Sequence, residues 1–164
     1  MPFTPLHMGA GILVKAVLRQ RFSLVVFGGS QIAMDIQPLL VMLTNKGDLH
    51  GWTHTVLGAT GLALLCGFLG KPIGEFFLRL MREPQHVPIP WRVSFFSAFL
   101  GTYSHVFIDS IMHTDVMPFW PLSPASPLHG IISIDALHIW CVLGAVVGAL
   151  VYGLIGRKDL SSRA

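Results

Sequence analysis

Charge is scarce in this chain. Asp, Glu, Lys and Arg make up 12% of its 164 residues, about half of the roughly 25% usual in soluble domains. So little charge cannot cover an ordinary water-facing surface. Cysteine is nearly absent too, with Cys66 and Cys141 both set in apolar runs, which excludes a disulfide scaffold and reads as two small buried hydrophobes. The net charge of +3 comes without any basic run interleaved with aromatics, so nucleic acid is not an expected partner. Low-complexity segments and internal repeats are also missing. The N-terminus has no basic region ahead of its apolar stretch and no cleavage site of the signal-peptide kind, so insertion is expected to use the first hydrophobic segments themselves.

What is abundant is hydrophobicity, at 52% of residues with a mean hydropathy of +0.65. Four long apolar segments stand out: Phe22 to Leu43, Thr53 to Gly70, Val93 to Met112 and Ile131 to Ile155. Each approaches or exceeds the roughly 17 to 25 residues that cross a bilayer as a helix. A shorter stretch, Pro5 to Leu18, precedes them, with Thr4 as its expected N-cap and Pro5 in its first turn. The expected architecture is all-α: a polytopic membrane bundle of four to five membrane helices, forming one integral membrane domain over residues 1–164. Between Lys71 and Arg92, the residues Phe76, Phe77, Leu78 and Leu80 beside Arg79 and Arg82 suggest a short interfacial helix, followed by a loop from Pro84 to Pro90.

Basic residues gather in three groups: Lys15, Arg19 and Arg21; Lys71, Arg79, Arg82 and Arg92; and Arg157, Lys158 and Arg163. A chain that reverses between them puts all three on one side, which the positive-inside rule assigns to the cytoplasm along with the C-terminus. Counted from those anchors at about 1.5 Å per residue, His7, Asp35, His54, His105 and Asp109 all fall about 20 to 26 Å above the cytoplasmic ends. Ionisable groups at that depth are costly and mark functional sites. These five are therefore the expected metal ligands. His105 and Asp109, four apart, share a helix face. His113 extends that column by a turn, and His50 and His54 repeat the spacing within LHGWTHT, where Gly51 gives the entry its freedom. Asp135 and His138 are further candidates near the outer rim. Pro38, a turn beyond Asp35, is a possible kink. The outer loop from Thr114 to Gly130, with Phe119 and Trp120, reads as a lid or an interfacial rim.

The ordered motifs FTPLHMGAG, the Asp35 segment, HGWTHT, GTYSHVFIDSIMH and PFWP resemble the bacterial inner-membrane metal-dependent hydrolase family, YdjM-like and LexA-regulated. The resemblance implies an N-terminal His, an Asp in the following segment, a His-Arg-Gly-x-Thr-His-Ser element and a Ser-His-x-x-x-Asp helix. These fall on His7, Asp35, His54, and His105 with Asp109. The chain departs from the third element, having Leu49 at its first histidine and His50 at its arginine.

The leading expectation is a membrane-embedded hydrolase that uses a divalent metal, zinc in first place and manganese or iron after it. Its substrate would be an ester or phosphoester of a lipid-like molecule, with His50 as the catalytic proton-transfer residue. Two other functions use the same residues: a metal or proton transporter, and a noncatalytic assembly protein whose polar layer locks helix packing. Gly58, Gly61, Gly144 and Gly148 permit close helix approach and a homo-oligomer. The lipid bilayer is the expected partner throughout.

Overall fold

A computed structural model describes residues 5–161. It is all-helical among those residues, with five α-helices: α1 (Met8–Leu18), α2 (Leu24–Thr44), α3 (Val56–Leu80), α4 (Trp91–Met112) and α5 (Ile134–Ser161). Thr4 and Arg163 lie outside the described residues. Local chemistry sets the helix starts. Ser23 Oγ accepts from Val26 N at the head of α2, and Thr55 Oγ1 accepts from Gly58 N at the head of α3, 3.0 Å away, each satisfying a backbone donor that the first turn leaves free. Asn45 ends α2 in the left-handed region, at φ 53°.

Helices α2, α3 and the stretch Ile134–Ile155 of α5 are long and apolar enough to cross a membrane. Their outer faces expose Ile32, Ile36 and Leu40 on α2, Leu64, Leu65 and Phe68 on α3, and Ile139, Leu143 and Leu150 on α5. Apolar surface this extensive suits contact with lipid rather than water.

Two expectations are revised. The Val93–Met112 segment does form a helix, but it is not among the three that are long and apolar enough to cross a membrane; α4 packs against both α2 and α3 and buries Ser94, Ser97, Thr102, His105, Asp109 and Ser110. Its polar side chains meet protein. The segment from Lys71 to Leu80 is no separate interfacial helix: α3 continues through Pro72 to Leu80. Glu75 pairs with Lys71 one turn before it and with Arg79, 3.7 Å away, one turn after, and such i,i+4 pairs support helix. Lys71 Nζ also donates to Ile89 O at 2.8 Å, and Ile89 N donates to Glu75 Oε1 at 3.0 Å, so this end of α3 grips the loop that leads into α4. The loop itself contains a single 3-10 turn, Pro84–His86.

Small residues set how closely the helices approach. Ser94 Oγ donates to Gly67 O at 2.7 Å between α4 and α3, and Ser97 Oγ accepts from Ser23 N at 2.9 Å between α4 and the head of α2. At 11 residues, or about 16 Å, α1 is too short to span. It packs chiefly on α5. A Cβ on Gly9 would lie 2.0 Å from the Cys141 carbonyl oxygen, and one on Gly148 would lie 2.6 Å from Leu13 N. The Gly144 and Gly148 spacing is thus occupied by α1 within the same chain.

Candidate metal centre

Five side chains from four segments converge at one end of the bundle. His7 closes a 3-10 turn, Pro5–His7, that leads into α1. Asp35 lies in α2, one turn before Pro38, whose missing N–H leaves the Met34 carbonyl without its helical donor. His54 closes a second 3-10 turn, Trp52–His54, just before α3. The LHGWTHT histidines therefore meet through a turn rather than along a helix face. His105 and Asp109 share one face of α4, as their spacing predicts.

All five are buried, His54 and His105 completely. Asp109 is the node. Its Oδ2 lies 3.1 Å from His105 Nε2 and 3.3 Å from His54 Nε2, and its Oδ1 lies 3.6 Å from His7 Nε2. His105 Nε2 is also 3.3 Å from Asp35 Oδ1. None of the three Nε2 atoms has a hydrogen-bond partner, although unpaired buried polar atoms are rare and costly.

The remaining ring nitrogens explain this orientation. His105 Nδ1 lies 2.6 Å from Gln31 Oε1, which can only accept. The Gln31 amide nitrogen in turn donates to Gly101 O and Ser104 Oγ, both at 3.1 Å. Thr53 Oγ1 donates to Gln37 Oε1 at 2.5 Å and faces His54 Nδ1 at 3.0 Å, so it accepts the Nδ1 proton. Both rings keep their Nε2 lone pairs turned inward when neutral, the arrangement found in metal-ligating histidines. Gly51 leaves room for the Gln37 amide, since a Cβ there would sit 1.9 Å from Gln37 Nε2 and push that side chain aside. Sequence reading missed Gln31, Thr53 and Gln37, because their role lies in which ring each one faces.

Four groups of His, Asp or both bring ligand atoms within 4.8 Å of one another: His7, His105 and Asp109; Asp35, His54 and His105; His50, His54 and Asp109; and His50, His113 and Asp115. The first three overlap at His54, His105 and Asp109 and make one buried centre. The fourth shares only His50 with it. His50 stands between the two, with its ring 4.9 Å from that of His54 and 4.4 Å from that of His113. Its Nδ1 lies 2.9 Å from Asp115 Oδ2. Partial burial opposes ionisation of Asp115, but the hydrogen bond and charge of His50 hold its carboxyl below the ordinary carboxylate range. Asp115 was not marked from sequence. Asp135 is exposed and His138 partly buried, and neither joins these groups.

The donor set fits a metal ion. Donors about 2.0 to 2.2 Å from a zinc ion at tetrahedral angles stand about 3.3 to 3.6 Å apart, close to the 3.1–3.6 Å separations between the nitrogens and carboxylate oxygens. Fold and site together define a helical membrane protein with a buried imidazole and carboxylate centre at one end of its bundle. The model of the YdjM inner membrane protein family matches residues 6–160, and the chain belongs to that family. No curated protein and no solved structure matches it.

Proposed function

We propose that the chain is a multi-pass, membrane-embedded metal hydrolase acting on an ester or phosphoester of a lipid-like substrate. The observation that carries this reading is the convergence of three unbonded histidine Nε2 atoms on two buried carboxylates. His7, Asp35, His54, His105 and Asp109 would hold the ion, with zinc suited to the imidazoles and manganese or iron to the carboxylates. Held there, the ion would supply water activation near neutral pH and offset charge on a phosphoester oxygen.

The chain's own residues do the rest. Gln31 and Thr53 fix the ring tautomers, Asp109 ties the three imidazoles together, and the apolar walls of α2 and α3 limit access by water. His50, marked from sequence for proton transfer, also faces His113 and Asp115 and belongs to the mouth of the centre. A site among lipid-facing helices favours an amphiphilic substrate. We place the centre in the outer half of the membrane and the C-terminus in the cytoplasm. In support, Lys15, Glu83, His86 and Tyr152 line one groove of about 530 Å³ at the opposite end, which gathers the ends of α1, α3 and α5 on one side.

A transporter needs a polar path beyond the centre. Buried hydroxyls do continue along α2 and α4, but Ser30, Ser94 and Thr102 each donate to a backbone carbonyl, and none of them is ionisable. Detergent-purified protein is expected to contain near-stoichiometric metal and to cleave a member of a phospholipid and lipid-phosphate panel, with activity lost on chelation. A metal-loaded protein that leaves the whole panel intact, or that carries metal across liposomes, would overturn the hydrolase reading.

Outer contacts of metal-binding histidines are typically worth about 10- to 100-fold in affinity. Gln31→Leu removes the acceptor for His105 Nδ1 without touching a ligand, so zinc affinity is expected to fall within that range. Competition with a chromogenic chelator measures it, and an unchanged affinity would detach Gln31 from the centre.

A further inference from the structure

The fourth ligand group shares only His50 with the buried centre, and its other two members need their own explanation. His50 comes from the turn before α3, His113 caps the end of α4 and Asp115 follows in the outer loop. Two separate stretches of chain thus place ligand atoms within 4.8 Å of one another. The loop is held there by Val56 N, which donates to Pro118 O at 2.8 Å, and by Val116, which is fully buried.

A cavity of about 370 Å³ opens beside the group. Asp48, His50 and Asp115 line it with the aromatic walls Trp52 and Trp120, and no Lys or Arg does so among the described residues. Two carboxylates therefore face a partly enclosed space with only imidazole to balance them. At reduced dielectric that arrangement attracts a cation. His50 and His113 stack at 28° between ring planes, and the His50 edge already faces Asp115 Oδ2 at 2.9 Å.

We propose that His50, His113 and Asp115 form a second divalent-cation site at the mouth, which meets the buried centre at His50 alone. Two imidazoles and one carboxylate are a zinc-type donor set that leaves a coordination position open toward the cavity. With fewer donors and more exposure, this site binds more weakly than the inner one. It stands or falls independently of the hydrolase reading.

The test is calorimetric titration of zinc chloride into the chelator-stripped, full-length protein in detergent. Wild type, His113→Ala, Asp115→Asn and the double variant His105→Ala, Asp109→Ala are compared, each checked for folding by thermal melting. Wild type is expected to show two classes of site. His113→Ala and Asp115→Asn should each weaken the second class by at least about tenfold and leave the tight class intact. The double variant should do the reverse. Because the Asp115 side chain is half exposed, Asp115→Asn keeps the fold and the test holds even if His113→Ala does not fold. Isotherms of Asp115→Asn that match wild type would overturn the proposal. Loss of the weak class in Asp115→Asn, together with an unaltered tight class in the double variant, would support the mouth site and remove the buried one. Absence of any zinc binding by wild type would overturn both.

Discussion

Asp109→Ala is expected to empty the buried centre more completely than any other single substitution. Its carboxylate reaches His7 through one oxygen and His54 and His105 through the other, so its loss removes a ligand and also the charge against which three imidazoles are set. Metal content should drop from near-stoichiometric to near zero, with affinity reduced by more than about 100-fold, beyond the usual effect of an outer contact. His7→Ala should cost less, because among the described residues His7 approaches one carboxylate, Asp109, at 3.6 Å. Elemental analysis of the two variants beside wild type decides this. Equal metal content in Asp109→Ala and wild type would mean that the carboxylate organises the histidines without binding the ion.

The second large effect lies far from any ligand in chemical character. Gly9→Val would drive a side chain into the backbone carbonyl of Cys141, where a Cβ already stands 2.0 Å from the oxygen. Backbone cannot rotate aside, so α1 must separate from α5. Overpacking of this kind costs about 1 to 3 kcal/mol or more. His7 is two residues away and must move with α1, so stability and zinc affinity should fall together. Gly61→Ala is the control, because a Cβ there has nothing within 4 Å. Thermal melting in detergent and zinc titration of both variants test the link. A Gly9→Val protein that melts lower yet binds zinc as wild type does would show that His7 keeps its place without α1 docking.

Much of the site was legible from sequence for a simple reason: imidazole and carboxylate are so costly in apolar segments that their positions alone mark the layer where helices must share them. Counting from the basic anchors brought His7, Asp35, His54, His105 and Asp109 to one depth, and the structure brings those five together. Other features depend on packing, which periodicity does not carry. Gln31 and Ser104 look like ordinary polar residues until α2 and α4 face each other. Asp115 looked like part of a loop until that loop folded back beside His50. Hydropathy ranked α4 with the membrane segments, whereas its serines and ionisable residues are housed between α2 and α3. Likewise the apolar and basic residues after Lys71 suggested a separate interfacial helix, but Lys71, Glu75 and Arg79 support each other along a continuous α3.

The pairing of α1 with α5 has a consequence for the order of synthesis. His7 precedes the other four residues of the cluster in the chain, yet the helix that follows it, α1, rests chiefly on α5, which comes after them all. Until α5 leaves the ribosome, α1 and the His7 beside it have no platform, and a nascent chain halted after α4 holds Asp35, His54, His105 and Asp109 without a docked His7. The cluster is therefore finished only after α5 has been made, when the first helix of the bundle is fastened to the fifth.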